Sequence, residues 1–282
     1  MRFRIRHRTT YLYERPVRLG PHRIRLSPRS DVGVALEHHH LVVDPPPRAR
    51  WQGLDPDGNL VTELRFAGET RHLQIESDLD LRTGSGPPSA AGFPAALPAS
   101  EPYEHRLRQR LAPWLADSAM APAVRELAMR LGGSSCDGLG FLEALNRYLH
   151  QRLEREIREE GEAHSPEETL RRGSGACRDL AMLYLAVCRC HGWAGRFVSG
   201  YQAHGHAGAG RRYLHAWPEV YVPEMGWRGF DPTHGAPVGE THVALAAAAR
   251  PADAAPVEGS YRGDGPSRLE TRLTIETEDA GG

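Results

Sequence analysis

Residues 1–82 alternate between apolar and polar side chains, with the period of two that is typical of half-buried β-strands. Turn-forming residues interrupt this pattern at positions 45–47 and 55–59, where prolines, aspartates, a glycine and an asparagine cluster. We therefore predict a small, antiparallel, β-rich N-terminal domain over residues 1–82. Its strand-like runs are residues 3–5, 11–13, 41–43, 60–64 and 72–75.

A linker and a run of helices are predicted next. Residues 83–100 are rich in Gly, Pro, Ser and Ala, which is the composition of a linker. Apolar residues at spacings of three and four then predict helices over residues 103–116, 121–131 and 139–158. Another helix begins at Ser165, because serine is a favoured N-cap, Pro166 suits the first helical position and Glu168 completes a capping box. It ends at Gly173.

One more helix begins near Cys177 and ends at Gly192, after which the pattern returns to strands. These strands cover residues 196–201, 213–222, 226–230 and 268–277. Pro218 lies inside the second of them and predicts an edge or bulged position, since proline cannot donate to a ladder. We assign residues 101–282, including the last strand, to one core domain.

Composition and charge narrow the functional classes. A chain of 282 residues has room for two domains, and a net charge of −1 gives no indication of a nucleic-acid or membrane partner. The N-terminus lacks the apolar core of a signal peptide, and no run of about 18 apolar residues occurs, so we predict a cytoplasmic protein. All 35 Lys+Arg residues are arginine, and the chain therefore offers no lysine of its own as an acyl acceptor.

Cysteine and histidine spacing argues against a metal or a disulfide framework. The histidines at 38–40 alternate faces of a strand and cannot all bind one ion, so we predict that they lie on the surface. Those at 204 and 206 lie in a glycine-rich loop, where a solvated position is favoured over ligand contact. We predict no cofactor, no metal, and small core residues at 188 and 190. The cysteines are Cys136, Cys177, Cys188 and Cys190.

The residues that indicate chemistry are Cys177, His215 and Asp231. Cys177 follows a glycine-rich turn at the start of an apolar helix, where the helix dipole lowers the pKa of a thiol. A histidine can pair with the thiolate, and a carboxylate can orient the imidazole. A buried cysteine beside an ordinary histidine is the alternative for each residue taken singly. Their joint occurrence in these contexts favours a catalytic triad.

Three neighbours of the triad have predicted supporting roles. Trp217 shares a strand face with His215, where its indole can cover one side of the imidazole. Asp179 lies in the first turn of the Cys177 helix, and we predict that it caps free N–H groups there, because a nearby negative charge would raise the pKa of the thiol. Arg178 can offset that charge or bind substrate, and the sequence leaves both roles open.

Three motifs resemble those of the bacterial transglutaminase-like superfamily. They are Gly-Ala-Cys-Arg-Asp-Leu at 175–180, His-Ala-Trp-Pro-Glu-Val-Tyr-Val-Pro at 215–223 and Gly-Trp-Arg-Gly-Phe-Asp-Pro-Thr at 226–233. The resemblance extends to residues 197–201, which end at Tyr201, and to the series His242, Arg250, Asp253, Pro256 and Gly259. Residues 1–82 resemble the N-terminal domain of one bacterial branch. The resemblance implies a papain-like α+β core, with Cys177, His215 and Asp231 as its triad and Tyr201 as a supporting or substrate-binding residue.

The resemblance implies attack of the Cys177 thiolate on a protein, peptide or amide carbonyl, through a thioester that water or an amine resolves. Water gives protease or amidase chemistry, and a lysine amine gives protein cross-linking. In animal transglutaminases a tryptophan upstream of the cysteine helps to form the oxyanion hole, but no tryptophan lies between Trp114 and Cys177. The sequence also lacks the clusters of acidic residues that form calcium sites in calcium-activated transglutaminases. We therefore favour hydrolysis, with cross-linking and a non-catalytic peptide-binding module as the alternatives.

Overall fold

The computed structural model describes residues 1–30, 33–84, 98, 100–115, 120–133, 137–203 and 212–279. Most of the predicted linker, the histidines at 204 and 206 and the cysteine at 136 lie outside the described residues. The strands are β1 Arg2–Ile24, β2 Val34–Asp44, β3 Ala49–Leu54, β4 Leu60–Arg65, β5 Thr70–Thr83, β6 Glu154–Arg155, β7 Ser174–Gly175, β8 Gly195–Gln202, β9 His215–Val222, β10 Gly226–Asp231, β11 Ala236–Pro237, β12 His242–Ala248, β13 Val257–Arg262 and β14 Ser267–Glu278. The helices are α1 His105–Arg110, α2 Pro122–Gly132, α3 Gly138–Arg152, α4 Pro166–Arg172 and α5 Cys177–Cys190, with short 3-10 turns at Ala112–Trp114 and Pro251–Ala254.

The N-terminal region forms an antiparallel sheet in the order β2-β5-β1-β4-β3. Its alternating residues bury a core that includes Phe3, Ile5, Leu73 and Ile75. The last two strands of the chain join this sheet, since β13 and β14 both pair with β1. The assignment of the final strand to the core domain is therefore wrong. Alternation shows that a segment is a strand, but the partner of that strand is set by long-range packing.

The second sheet is antiparallel, in the order β11-β10-β9-β8-β12. Helix α5 packs on it through Ala181 and Leu185, which contact Phe197 of β8 and Ala216 of β9 in one apolar cluster. Helices α2 and α3 cover the outer side of α5 in a larger cluster. This mixture of helices with an antiparallel sheet is the α+β architecture that the sequence predicts.

Local signals set several helix ends correctly. Ser165 accepts a hydrogen bond from the N–H of Glu168 and caps α4, while Gly173 ends that helix in the left-handed conformation with φ of 66°. Gly192 follows α5 with φ of 77°. Helix α3 ends at Arg152, earlier than its apolar spacing predicts, because residues 154–155 pair instead with Ser174–Gly175.

Strand β9 lies between β8 and β10, so it is not an edge strand. Its ladder with β10 stops at Glu219, next to Pro218, which explains how an interior strand accommodates the proline. The two faces of β9 are divided as the alternation predicts. Ala216, Val220 and Val222 pack into apolar clusters with the helices, whereas His215 and Trp217 lie on the opposite face.

Candidate active site

Cys177 is the first residue of α5 and is only half-buried. The preceding strand β7 pairs in parallel with β6, which fixes the backbone that leads into the helix. Gly175 is needed in this approach, because a Cβ atom there would lie 2.9 Å from the Cβ of Asp179. The turn therefore places a half-buried cysteine at a helix N-terminus, where the dipole favours the thiolate.

Asp179 is a structural capping residue in the first turn of α5. Its fully buried carboxylate accepts a hydrogen bond of 2.8 Å from the N–H of Ala176 and one of 2.7 Å from the N–H of His164. Both terminal nitrogens of Arg158 also donate to it at 2.8 Å. Burial alone would raise the pKa of Asp179, but Arg158 and the two backbone donors hold this pKa below its ordinary value.

Arg178 binds the loop that borders the nucleophile. Its guanidinium donates to the carbonyl oxygens of Arg158 at 2.7 Å and Glu160 at 2.6 Å. These contacts give Arg178 a structural role and leave its substrate-binding role as a prediction. Together with the Arg158–Asp179 ion pair, they attach residues 158–164 to the start of α5.

The three residues of the predicted triad meet at the start of β9 and the end of β10. His215 Nε2 lies 2.9 Å from Asp231 Oδ2, and both side chains are buried. Cys177 lies beside His215 and the backbone N–H of Ala216, and both lower the pKa of its thiol. Since Nε2 faces the carboxylate, Nδ1 is the ring nitrogen left for the thiol. Three elements that are distant in sequence thus form one continuous Cys–His–Asp arrangement.

The electrostatics of this arrangement favour a thiolate–imidazolium pair. Burial opposes charge on His215, but Asp231 and Cys177 raise the pKa of His215 to about 9. Burial likewise opposes the Cys177 thiolate, but His215 and the N–H of Ala216 bring the pKa of the thiol below its ordinary value. The pKa of Asp231 is strongly lowered, because its histidine partners outweigh the cost of burial. All three shifts stabilise the charges that an activated thiol requires.

Two further histidines contact Asp231, and sequence reasoning assigned no site role to either. Asp231 Oδ2 lies 2.7 Å from His234 Nδ1 and 3.2 Å from His242 Nε2, in addition to its contact with His215. Asp231 Oδ1 accepts from the N–H of Thr233 at 2.9 Å. The position of His234 three residues after Asp231, in the turn that follows Asp-Pro-Thr, was a signal that could have identified it.

This cluster is also where a metal ion would find side-chain ligands. Within the described ranges, the ligand atoms of His215, Asp231 and His234 lie within 4.8 Å of one another. Two of these three residues belong to the predicted triad, and the contacts between the ring nitrogens and the carboxylate have hydrogen-bond lengths. Hydrogen bonding therefore accounts for the cluster as it stands.

Trp217 and Tyr201 are both core residues. The Trp217 ring lies 6.0 Å from the His215 ring at 33°, and it packs with Val198 in a small apolar cluster. Tyr201 is fully buried, and its hydroxyl lies 3.0 Å from His7 Nδ1 of the N-terminal sheet. Its position suits the supporting role, since a side chain without exposed surface has no access to substrate in this structure.

The fold combines helices with an antiparallel sheet, the site brings Cys177, His215 and Asp231 together, and comparisons with known proteins give the family. Residues 3–82 match the bacterial transglutaminase-like N-terminal region, and residues 125–232 match the transglutaminase-like superfamily. These two regions together cover more than half of the chain. The protein belongs to the transglutaminase-like superfamily and carries a bacterial transglutaminase-like N-terminal region. This membership supports its placement among cysteine-based enzymes.

Similar full-length proteins occur in mycobacteria. An uncharacterised protein of Mycobacterium tuberculosis is 28% identical over 92% of this chain and 87% of its own length. Another from Mycobacterium leprae is 26% identical over 97% of this chain and 98% of its own length. The crystal structure of a proposed cysteine protease from Cytophaga hutchinsonii has the same fold, with a TM-score of 0.73 at 19% identity, over 100% of this chain and 92% of that one.

Among the described residues, no helix combines the length and the apolar character needed to cross a membrane.

Proposed function

We propose that the protein is a cysteine hydrolase that cleaves amide or peptide bonds through a thioester intermediate. The observation that carries this proposal is the placement of a half-buried Cys177 beside His215, whose Nε2 lies 2.9 Å from the buried carboxylate of Asp231. Nucleophilic catalysis requires a nucleophile, a base beside it and a group that orients the base.

The first half of the reaction forms the thioester. The Cys177 thiolate attacks the carbonyl carbon of the substrate, and the carbonyl oxygen becomes an oxyanion. The Cys177 N–H at the helix start has no intrahelical acceptor and can donate to this oxygen. When the intermediate collapses, the C–N bond breaks and the His215 imidazolium gives its proton to the leaving amine.

The second half restores the enzyme. Neutral His215 takes a proton from water as the water oxygen attacks the thioester carbon, and the C–S bond breaks to release a carboxylic acid. The thiolate and the imidazolium are then present again. Asp231 remains ionised throughout, because its contacts with three histidines hold the pKa of its carboxyl low.

Hydrolysis is favoured over amine transfer, and a protein or peptide over a small amide. The sequence has no tryptophan between Trp114 and Cys177, where animal transglutaminases have one that helps to form the oxyanion hole. It also lacks the clusters of acidic residues that bind calcium in calcium-activated transglutaminases. A cysteine protease is also the activity proposed for the similarly folded Cytophaga protein. A free thiol functions best in a reducing compartment, so we place the enzyme in the cytoplasm.

The test is an activity screen with peptide and amide libraries, with and without an added primary amine. We expect Cys177-dependent release of free carboxylate that the amine leaves largely unchanged. The control is Cys177→Ala, which keeps the fold and removes the nucleophile. Products that incorporate the amine would replace hydrolysis with transfer. Tight, saturable peptide binding without turnover by the wild-type protein would instead establish the binding module.

A further inference from the structure

Asp231 accepts far more hydrogen bonds than the orientation of one imidazole requires. Its Oδ2 faces His215 Nε2 at 2.9 Å, His234 Nδ1 at 2.7 Å and His242 Nε2 at 3.2 Å. Its Oδ1 accepts from two backbone N–H groups in the turn after β10. Three imidazoles therefore share the single oxygen that the catalytic histidine uses.

The protons of His242 can be assigned from its partners. An ionised carboxylate only accepts hydrogen bonds, so Nε2 of His242 carries a proton and donates a hydrogen bond to Asp231. The other ring nitrogen, Nδ1, lies 2.9 Å from the hydroxyl of Thr241. In neutral imidazole Nδ1 is then an acceptor, and the Thr241 hydroxyl donates to it. His242 is buried at the start of β12, opposite Gln202 of β8, and so the backbone of the sheet fixes its position.

We propose that His242 is a positioning residue for the triad, which donates a hydrogen bond to Asp231 Oδ2 and takes up part of the negative charge of that oxygen. A carboxylate that donates its electron density to three N–H groups stabilises any one of them less than a carboxylate with a single donor. His242 thereby limits how strongly Asp231 stabilises the His215 imidazolium. This keeps the imidazolium acidic enough to protonate a leaving amine and the thiolate reactive enough to attack. The inference rests on the proposed function.

The charges around the site come from several elements. Facing His215 are Cys177 on α5, Asp231 at the end of β10, His234 in the turn after it and His242 on β12. Arg178 on α5 and Arg158 in the loop before α4 add positive charge near the thiol. Asp179 offsets the charge of Arg158 through its ion pair.

Burial lowers the pKa of His242, which favours its neutral, proton-donating form. The indole of Trp217 contributes an uncharged wall 5.1 Å from the His242 ring.

The test compares His242→Phe, which fills the same space without a donor, with His242→Gln, whose side-chain amide can restore one. The rate of Cys177 alkylation by iodoacetamide is measured by peptide mass spectrometry from pH 4 to 9, and kcat/KM is measured with a substrate from the activity screen. The matched control is His72→Gln, which breaks an exposed His–Asp pair of the N-terminal sheet, His72 with Asp44. Thr241→Val provides a milder variant, because it removes only the partner of His242 Nδ1.

We expect His242→Phe to shift the onset of alkylation to lower pH by about 0.5 to 1 unit. We also expect kcat/KM to fall by about tenfold, which is the rate equivalent of one hydrogen bond to a charged group. Thr241→Val shifts the onset in the same direction by less, His242→Gln returns both values toward wild type, and His72→Gln changes neither. A structural defect would instead move the onset to higher pH, since a displaced Asp231 supports the ion pair less.

The inference is overturned if His242→Phe alkylates like wild type, if its onset moves to higher pH, or if His242→Gln behaves like His242→Phe. Should His242→Phe fail to fold, the direction of the Thr241→Val shift decides in the same way. The wild-type curve tests the proposed function separately. An unactivated wild-type thiol contradicts that function, whereas an activated wild-type thiol with unchanged His242 variants contradicts only the inference.

Discussion

Replacement of Asp179 by alanine should destabilise the protein far more than an ordinary change of surface charge. The variant leaves the Arg158 guanidinium and the N–H groups of Ala176 and His164 without their shared acceptor. Loss of one partner from a buried ion pair costs about 3 to 5 kcal/mol. Because the side chain of Arg158 is still 24% exposed and can be partly hydrated, we expect the low end of that range, about 3 kcal/mol.

The assay is urea unfolding at pH 7, followed by tryptophan fluorescence. The matched control is Asp253→Ala, since Asp253 also accepts from two nitrogens of one arginine, Arg250, but on the exposed surface. We expect no measurable change in unfolding free energy for that variant. Equal effects of the two variants would refute the capping role of Asp179.

The pH dependence of this effect has a defined sign. The pKa of Asp179 is lower in the folded protein than in the unfolded chain, despite the opposing effect of burial, because Arg158 and two backbone donors favour the carboxylate. The stabilisation is therefore complete above the unfolded pKa of about 4 and declines as the pH falls through the folded value. The gap between wild type and Asp179→Ala should narrow below about pH 4, and a gap that widens there would contradict the ionised state of this carboxyl group.

Three further outcomes follow from the site. Turnover should decline as the pH rises through about 9, because the His215 imidazolium that protonates the leaving group is then lost. A pH profile of kcat that is flat to pH 10 would exclude His215 as the proton donor. Tyr201→Phe should lower the unfolding free energy by about 1 kcal/mol through loss of its contact with His7, and leave Cys177 alkylation unchanged; slower alkylation would give Tyr201 a direct role at the site. Trp217→Leu should lower the free energy of unfolding in urea by about 2 kcal/mol and slow the alkylation of Cys177, because it leaves a space beside His215. An unaltered alkylation rate would show that the indole does not position the imidazole.

The features that the sequence predicts best are those that depend on local chemistry. A serine cap and a left-handed glycine define α4, and a glycine-rich turn followed by an apolar run defines the start of α5. Alternation along β9 correctly separates the face of Ala216 from that of His215 and Trp217. These signals need only neighbouring residues, so no knowledge of distant contacts is required to interpret them.

The features that the sequence does not predict depend on partners far along the chain. Nothing local indicates that β14 pairs with β1, or that Asn59, in a predicted turn, hydrogen-bonds both the N–H and the carbonyl of Ala247 in β12. The ion-pair partner of Asp179, Arg158, lies in a stretch dominated by glutamates. His242 and Asp231 are in contact although β8 and β9 separate their strands in the sheet order, and no local pattern indicates that contact.

The most direct test of the account is the alkylation of Cys177 at pH 6, measured by intact mass and peptide mapping after brief exposure to iodoacetamide. Wild type, His215→Ala and Asp231→Asn are compared, with Cys177→Ala as the control for site assignment. The account predicts that Cys177 in the wild type reacts much faster than an ordinary thiol, and that both triad variants lose this advantage. A wild-type rate equal to that of an ordinary thiol, or a His215→Ala rate equal to that of the wild type, would show that His215 does not activate Cys177.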